Sequence, residues 1–410
     1  MRKLAKQLFQ IAVTAADPAR AVRGYFEENP AAAPAGRIFA IAIGKAAPAM
    51  LREALKHLPD EVTALGVTHH ENAQVVEGAR ILTAGHPVPD RAGLEAGQEI
   101  IALLGKAGKN DRVFALISGG GSALVPAPLP PLTLEDKQAV NRILLESGLD
   151  IGAMNLIRQQ LSDLKGGGFL RHAAPAPVTA LILSDVIGND LSAIASGPTM
   201  APLGTREAAR LLLQDHGLLE DFPETAQVLL NTGAPEILLP PAENHLIGSN
   251  DQSLAAMAEA LPEGWSGQIV SDHLTGDVQD AADEIIKAAQ NAGAGPVALI
   301  FGGETTVKIR GNGRGGRNQE LALRVALQAE TLPCDWVFMS GGTDGRDGPT
   351  DAAGGIVDAG TMGRIATAGQ DAEALLANND SYAALQAAGD LLITGATGTN
   401  VADVQVMLLE

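Results

Sequence analysis

The 410-residue sequence is poor in cysteine, aromatic residues and positive charge. It has a single cysteine, 3 % aromatics, and 29 Lys and Arg against 48 Asp and Glu, for a formal charge of −19. The lone Cys334 excludes an intramolecular disulfide and a cysteine-based metal site. The acidic balance argues against nucleic acid, whose phosphates need clustered Lys and Arg, and against an anionic membrane surface. No apolar run reaches the roughly 18 residues of a membrane span. The N-terminus Met1-Arg2-Lys3-Leu4-Ala5-Lys6 is basic, but Gln10, Thr14 and Asp17 interrupt the apolar positions that follow. It therefore reads as a helix rather than a signal peptide, and a cytoplasmic protein is expected. An anionic ligand would have to be met by local cations working against the global field.

Short Ile/Val/Leu runs alternate with amphipathic stretches along most of the chain. Strands are expected at Arg37 to Ile43, Ala64 to Thr68, Ile81 to Thr83, Val113 to Ile117 and Val178 to Leu183. Helices are expected at Ala46 to Leu58, Arg91 to Leu104, Leu134 to Ser147 and Asn155 to Leu164. Such βαβ alternation implies a Rossmann-like, doubly wound parallel sheet over residues 1–236. Gly233, Pro235, Pro240 and Pro241 break the pattern, placing a linker at Thr232 to Asn244. A second α/β domain follows over 245–410. Its strand Pro296 to Phe301 reads as one arm of a hairpin with Thr305 to Arg310, which makes that sheet mixed.

The 47 glycines concentrate at the C-terminal ends of predicted strands, the edge where open α/β sheets bind ligands. Gly44-Lys45 ends the first strand, and Ser118-Gly119-Gly120-Gly121-Ser122 ends the fourth. Glycines let consecutive N–H groups converge on an oxyanion, and hydroxyls add donors, so this loop suits phosphate or carboxylate. A tight turn needing positive φ is the plainer alternative. Lys45, at the start of a helix, sits against its positive end, a placement that costs energy unless an anion offsets it. A solvated surface lysine is the other option.

Gly311-Asn312-Gly313-Arg314-Gly315-Gly316 matches the dinucleotide fingerprint formally. The acid expected about 20 residues on is missing, and Arg314 and Arg317 load the loop with cations suited to an oxyanion. Asp185 and Asp190, and farther on Asp344, Asp347 and Asp351, stand in loops as Mg²⁺ ligands or as Asx-turn formers and caps. His86, in Gly85-His86-Pro87-Val88-Pro89-Asp90, reads as a stacking residue.

Taken together, these segments resemble the glycerate 2-kinases whose C-terminal half is a MOFRL domain. The resemblance rests on Ala42 to Ala47, Gly85 to Asp90, Ile117 to Leu124, Ser184-Asp185-Val186, Ala195 to Thr199 and Gly248-Ser249-Asn250. It continues in Gly302-Gly303-Glu304-Thr305-Thr306-Val307, Gly313 to Glu320, Gly342 to Ala353 and Thr397 to Asn400. The resemblance implies two domains with the active site in the cleft between them. It also implies ATP- and Mg²⁺-dependent phosphorylation of D-glycerate at the 2-hydroxyl. Lys45 and Arg317 take the essential positions, with Asp185 as base or Mg²⁺ ligand and Asp190 as a second ligand. Ser118 to Ser122, Lys165, Ser249, Asn250, Glu304, Arg314, Thr343 and Asp344 fall at substrate- and nucleotide-binding positions. Alanine at Lys45 or Arg317 is then expected to remove activity without loss of stability. A homodimer is compatible with the family.

Four positions depart from the family pattern: Asn189 where Asp is expected, Leu191 where Pro is, Gln160 where His is, and Ala396 where Pro is. The alternatives are an NAD(P)H-dependent hydroxypyruvate reductase and a non-catalytic protein that binds a nucleotide or hydroxy acid.

Overall fold

The computed structural model describes residues 1–31, 35–233, 239–240, 242–293 and 295–410. The chain forms two compact units, Pro18–Ile247 and Met1–Asp17 with Gly248–Glu410. The first helix, Arg2–Ala15, therefore departs from the expected boundary by joining the second unit. Its Leu8, Phe9 and Ala12 share a core with Ile300, Met339 and Val406 there.

The first unit holds six strands: β1 (Ile38–Ile43), β2 (Val62–His69), β3 (Ala79–Ala84), β4 (Arg112–Ile117), β5 (Val178–Leu183) and β6 (Ala242–Gly248). Their order is β3-β2-β1-β4-β5-β6, with the pairs from β3 through β5 all parallel. Strands β1 and β5 are buried at every position, as helices on both faces require. The doubly wound expectation holds. The order reverses between β1 and β4, so their C-terminal ends open a crevice. Of the expected linker, residues 234–238 and 241 lie outside the described residues, and Ala242–Asn244 already belong to β6.

The second unit contains β7 (Ser266–Asp277), β8 (Val297–Thr306), β9 (Trp336–Gly342), β10 (Gly354–Asp358), β11 (Leu391–Leu392) and β12 (Asp403–Leu409). They run in the order β11-β10-β9-β12-β8-β7. The sheet is mixed, but not through the expected hairpin. Strand β8 continues through Gly302 and Gly303 to Thr306, and its antiparallel partner is β12, from the end of the chain. These glycines do not turn the chain. Gly303 lets β7 come close, since a Cβ there would lie 2.2 Å from the Leu274 carbonyl oxygen.

Candidate functional site

In the first unit, the ends of β1, β4 and β5 build one cluster. The Lys45 N–H donates to the Gly119 carbonyl (2.9 Å), and the Ala46 N–H donates to Ser118 Oγ (3.1 Å), joining the loops after β1 and β4. Ser118 is buried beneath them. The three glycines are required by close approach. A Cβ on Gly119 would fall 1.8 Å from Asp185 Oδ2, one on Gly120 3.2 Å from the His86 ring, and one on Gly121 2.9 Å from Ala195 Cβ. Gly120 also adopts φ +83°. The tight-turn alternative and the ligand reading thus describe the same loop, walled by Asp185, His86 and Lys45.

Burial raises the pKa of Asp185, and the Lys45 charge only partly opposes this. Burial, then the charges of Lys45 and His69, pushes His86 down to about 4, so its ring is neutral at pH 7. The Lys45 ammonium makes no hydrogen bond or ion pair among the described residues, while its carbonyl is held by Asn72 Nδ2 (2.7 Å). Ser122, the last residue of the loop, accepts from buried Lys165 at its carbonyl (2.9 Å) and at its hydroxyl. Asp190 is engaged locally: Oδ1 accepts from the Ser192 N–H (2.9 Å) and Oγ (2.7 Å), the Asx-turn arrangement. Among the described residues, no three His, Cys, Asp or Glu side chains gather as a metal site.

In the second unit, Arg317 opens the helix Arg317–Gln328. Its Nε and Nη2 donate to Asp403 Oδ2 (2.6 Å) and Oδ1 (2.9 Å), and Nη1 lies 3.0 Å from Glu304 Oε1. Burial lowers the pKa of this guanidinium, but the Asp403 bonds, with the Asp403, Glu304 and Asp347 charges, raise it overall. Arg314 does not join it. Arg314 stacks on Tyr382, 4.0 Å from the ring centre, and approaches Asp351. The middle of the loop between β8 and this helix spends its N–H groups on its own chain. Gly311 and Asn312 donate to Asn379 and Asn378 side chains, Gly313 to the Asn378 carbonyl, and Arg314 to Asp380. A pyrophosphate would find these donors taken, in keeping with the missing ribose-binding acid.

Several other expected binding residues have structural partners. Ser249 caps the helix Asn250–Glu259, and Asn250 Nδ2 donates to the Val401 and Asp403 carbonyls. Thr343 Oγ1 donates to the Ala402 carbonyl (2.6 Å), and Asp344 accepts from the Arg346 N–H. Asp347 accepts from the Asn318 and Gln319 N–H groups, and burial pushes it up to about 6.

Sequence reasoning missed Asp403, the fully buried carboxylate that holds Arg317. An acid directly before a segment apolar but for Gln405, Val404 to Leu409, was the available signal. It also missed Lys137, which shares a helix face with buried Val140 and Leu144 at i, i+3 and i+7. For Arg317 the expectation of an activity loss without a stability loss changes. Alanine there would leave Asp403 buried without its partner.

Fold and site together define a two-unit α/β protein with an oxyanion-suited glycine loop at the switch point of a Rossmann-like sheet. Residues 4–231 match a family described as a domain of unknown function (DUF4147), and residues 297–403 match the MOFRL family. The chain is 38 % identical to a D-glycerate 2-kinase of Thermotoga maritima over 100 % of this chain and 98 % of that one. It is 37 % identical to a glycerate 2-kinase of Pyrococcus horikoshii, over 100 % and 97 %. A relative from Agrobacterium vitis, 39 % identical over 100 % and 94 %, is named a putative hydroxypyruvate reductase. A crystal structure of a Thermotoga maritima glycerate kinase superposes with a TM-score of 0.92 at 37 % identity, covering 100 % of this chain and 99 % of that one. The chain belongs to the MOFRL-domain glycerate kinase family. No described helix is long and apolar enough to cross a membrane.

Proposed function

We propose that the protein transfers the γ-phosphoryl group of ATP to the 2-hydroxyl of D-glycerate, giving 2-phosphoglycerate and ADP in the cytoplasm. The carrying observation is the packing of Lys45, Gly119 to Gly121 and Asp185 at the β1/β4 switch point. Phosphoryl transfer needs little covalent chemistry from the protein. It needs positioning and charge stabilisation, which a free cation and aligned N–H donors supply.

Lys45 has no competing carboxylate bond, so its charge is available to the transferring phosphoryl group. The N–H groups of Gly119 to Gly121 serve as fixed donors, and Lys165 holds Ser122 at the end of the loop. Neutral His86 covers the loop and excludes water. In the second unit, Arg317 presents a cation whose orientation is fixed by buried Asp403. An incoming anion would compete with the more exposed Glu304 and leave the Asp403 pair intact. Asp185, with its raised pKa, is placed to accept the proton of the substrate hydroxyl or to hold Mg²⁺. The metal fits as a one-carboxylate site, since Mg²⁺ commonly takes one or two carboxylates with water and phosphate. Asp190 fits less well, because its Oδ1 is taken by Ser192. Bound at Asp185, Mg²⁺ would neutralise the nucleotide phosphate oxygens.

The name carried by the Agrobacterium vitis relative has no support from the 311–316 loop, whose N–H groups from Gly311 to Arg314 are bound to Asn378, Asn379 and Asp380. ADP release coupled to NADH oxidation is the direct assay. It should depend on D-glycerate, and absence of ADP with NAD(P)H consumed on hydroxypyruvate would reject the kinase.

A further inference from the structure

Beside the glycine loop, the first unit holds two buried lysines and a half-buried arginine without a carboxylate partner among the described residues. Lys165 is 4 % exposed and donates only to Ser122 and to Ser196 Oγ (3.4 Å). Lys137 is 3 % exposed, and its one hydrogen bond is to Asn141 Oδ1 (2.7 Å). Arg158 is half-buried and makes no ion pair or hydrogen bond among the described residues, and its Nε is buried without an acceptor. Asn155 is 1 % exposed. It accepts from Ser196 Oγ (3.0 Å), and its Nδ2 donors are buried and unused.

These groups lie close together. Asn155 and Arg158 share one face of the helix Ile151–Gln160, three residues apart. That helix packs its Ile157, and Leu161 directly after it, into one core with Val140 and Leu144 of the helix carrying Lys137. Ser196 links Asn155 to Lys165 and to Ser122. The charges act on one another: burial first, then Arg158, lowers Lys137 to about 7, and burial, then Lys137 and Arg158, lowers Lys165 well below its ordinary range. Ala195, Ser196 and Gly197 all hold left-handed backbone, a strained run of the kind retained at ligand sites.

Buried cations are ordinarily paired. A chain with 48 acidic residues could have provided a carboxylate here, and none among the described residues is bonded to these three. Unused donors of Arg158 and Asn155 point to an acceptor that is not part of the chain.

We propose that Lys137, Arg158 and Lys165, with Asn155, form a pocket for a small oxyanion. The ligand is the carboxylate of the hydroxy-acid substrate or a phosphate of the nucleotide, an identification that rests on the kinase function. Lys165 ties this pocket to the glycine loop through Ser122, so a bound anion would settle the buried charge and fix the loop in one event.

The test uses full-length Lys137→Met and Arg158→Gln, with binding of D-glycerate, ATP and inorganic phosphate measured by calorimetry well below the melting temperature. Each variant should bind inorganic phosphate and one of the two substrates at least tenfold more weakly. Loss confined to D-glycerate identifies the carboxylate; loss confined to ATP identifies a nucleotide phosphate. Without ligand, both variants should melt at or above the wild-type temperature, because like charges have been removed from the interior. Unchanged affinity for all three ligands, or no binding of any by the wild type, would overturn the pocket. Phosphate binding that responds to the variants in a protein without kinase activity would uphold the pocket and reject the kinase. Normal kinase activity with unaltered binding in both variants would reject the pocket alone.

Discussion

Arg317 meets Asp403 through two parallel hydrogen bonds of 2.6 and 2.9 Å, joining the first turn of a helix to the first residue of the terminal strand. Asp403 is fully buried, so the pair sets the direction of the guanidinium. Arg317→Ala should abolish phosphorylation and also cost about 3–5 kcal/mol, the usual price of stranding a buried charge. Urea unfolding beside the activity assay separates the two losses. Asp403→Asn should lower kcat while Arg317 is still present, because the fork loses its orientation.

Lys45 behaves differently. Its ammonium holds no structural partner, so Lys45→Met should leave the melting temperature within a few degrees of wild type and reduce kcat roughly 10²–10³-fold, the usual scale for removing one transition-state charge contact. A large fall in melting temperature would mark Lys45 as structural.

Gly119 and Asp185 compete for the same space. Gly119→Ala should displace the Asp185 carboxylate, destabilise the unit by about 1–3 kcal/mol as overpacking does, and remove activity. Asp185→Asn should act in the opposite sense on stability. Burial raises the pKa of this carboxyl, so its charge is unfavourable at neutral pH, and the neutral amide should raise the melting temperature while lowering kcat. Thermal melts of both variants check the opposed signs.

Glu53 anchors the helix that starts beside Lys45. Hydrogen bonding from Arg23, against the cost of burial and with help from Lys56 and His57, lowers its pKa from 4.5 to about 2. Its contribution to stability is therefore full above the unfolded value and lost as pH falls toward 2. Glu53→Gln should cost on the order of 1–2 kcal/mol at pH 7, discounted for the exposed Arg23 and Lys56. The gap to wild type should close as the pH approaches 2. Asp347, raised to about 6, has the reverse dependence and loses stability as pH rises through about 4 to 6. Comparing Glu53→Gln with wild type at each pH cancels that background.

The first unit was largely legible in the sequence because β1, β3, β4 and β5 are short strands closed by glycine or serine at the ligand edge. Val178–Leu183 and Arg91–Leu104 match their expected bounds to the residue. The second sheet was less legible. Its central strand β12 comes from the end of the chain and pairs with β8 and β9, both far upstream, so no local turn announces it. Gly302-Gly303 has the composition of a hairpin turn, yet serves the close approach of β7. At the site, glycine spacing located the loop and its cations, but Asp403, Lys137 and Arg158 act through distant pairing or burial that no local pattern encodes. Thr343, Ser249 and Asp344 show the converse: residues that suit a ligand are bonded to the chain itself.

The most direct measurement is the identity of the product formed from D-glycerate and MgATP. Enolase dehydrates 2-phosphoglycerate at once, whereas 3-phosphoglycerate must first be isomerised by a mutase. The purified protein with enolase alone should generate phosphoenolpyruvate in step with ADP. ADP release that yields phosphoenolpyruvate only after a mutase is added would contradict transfer to the 2-hydroxyl, and no glycerate-dependent ADP at all would contradict the kinase.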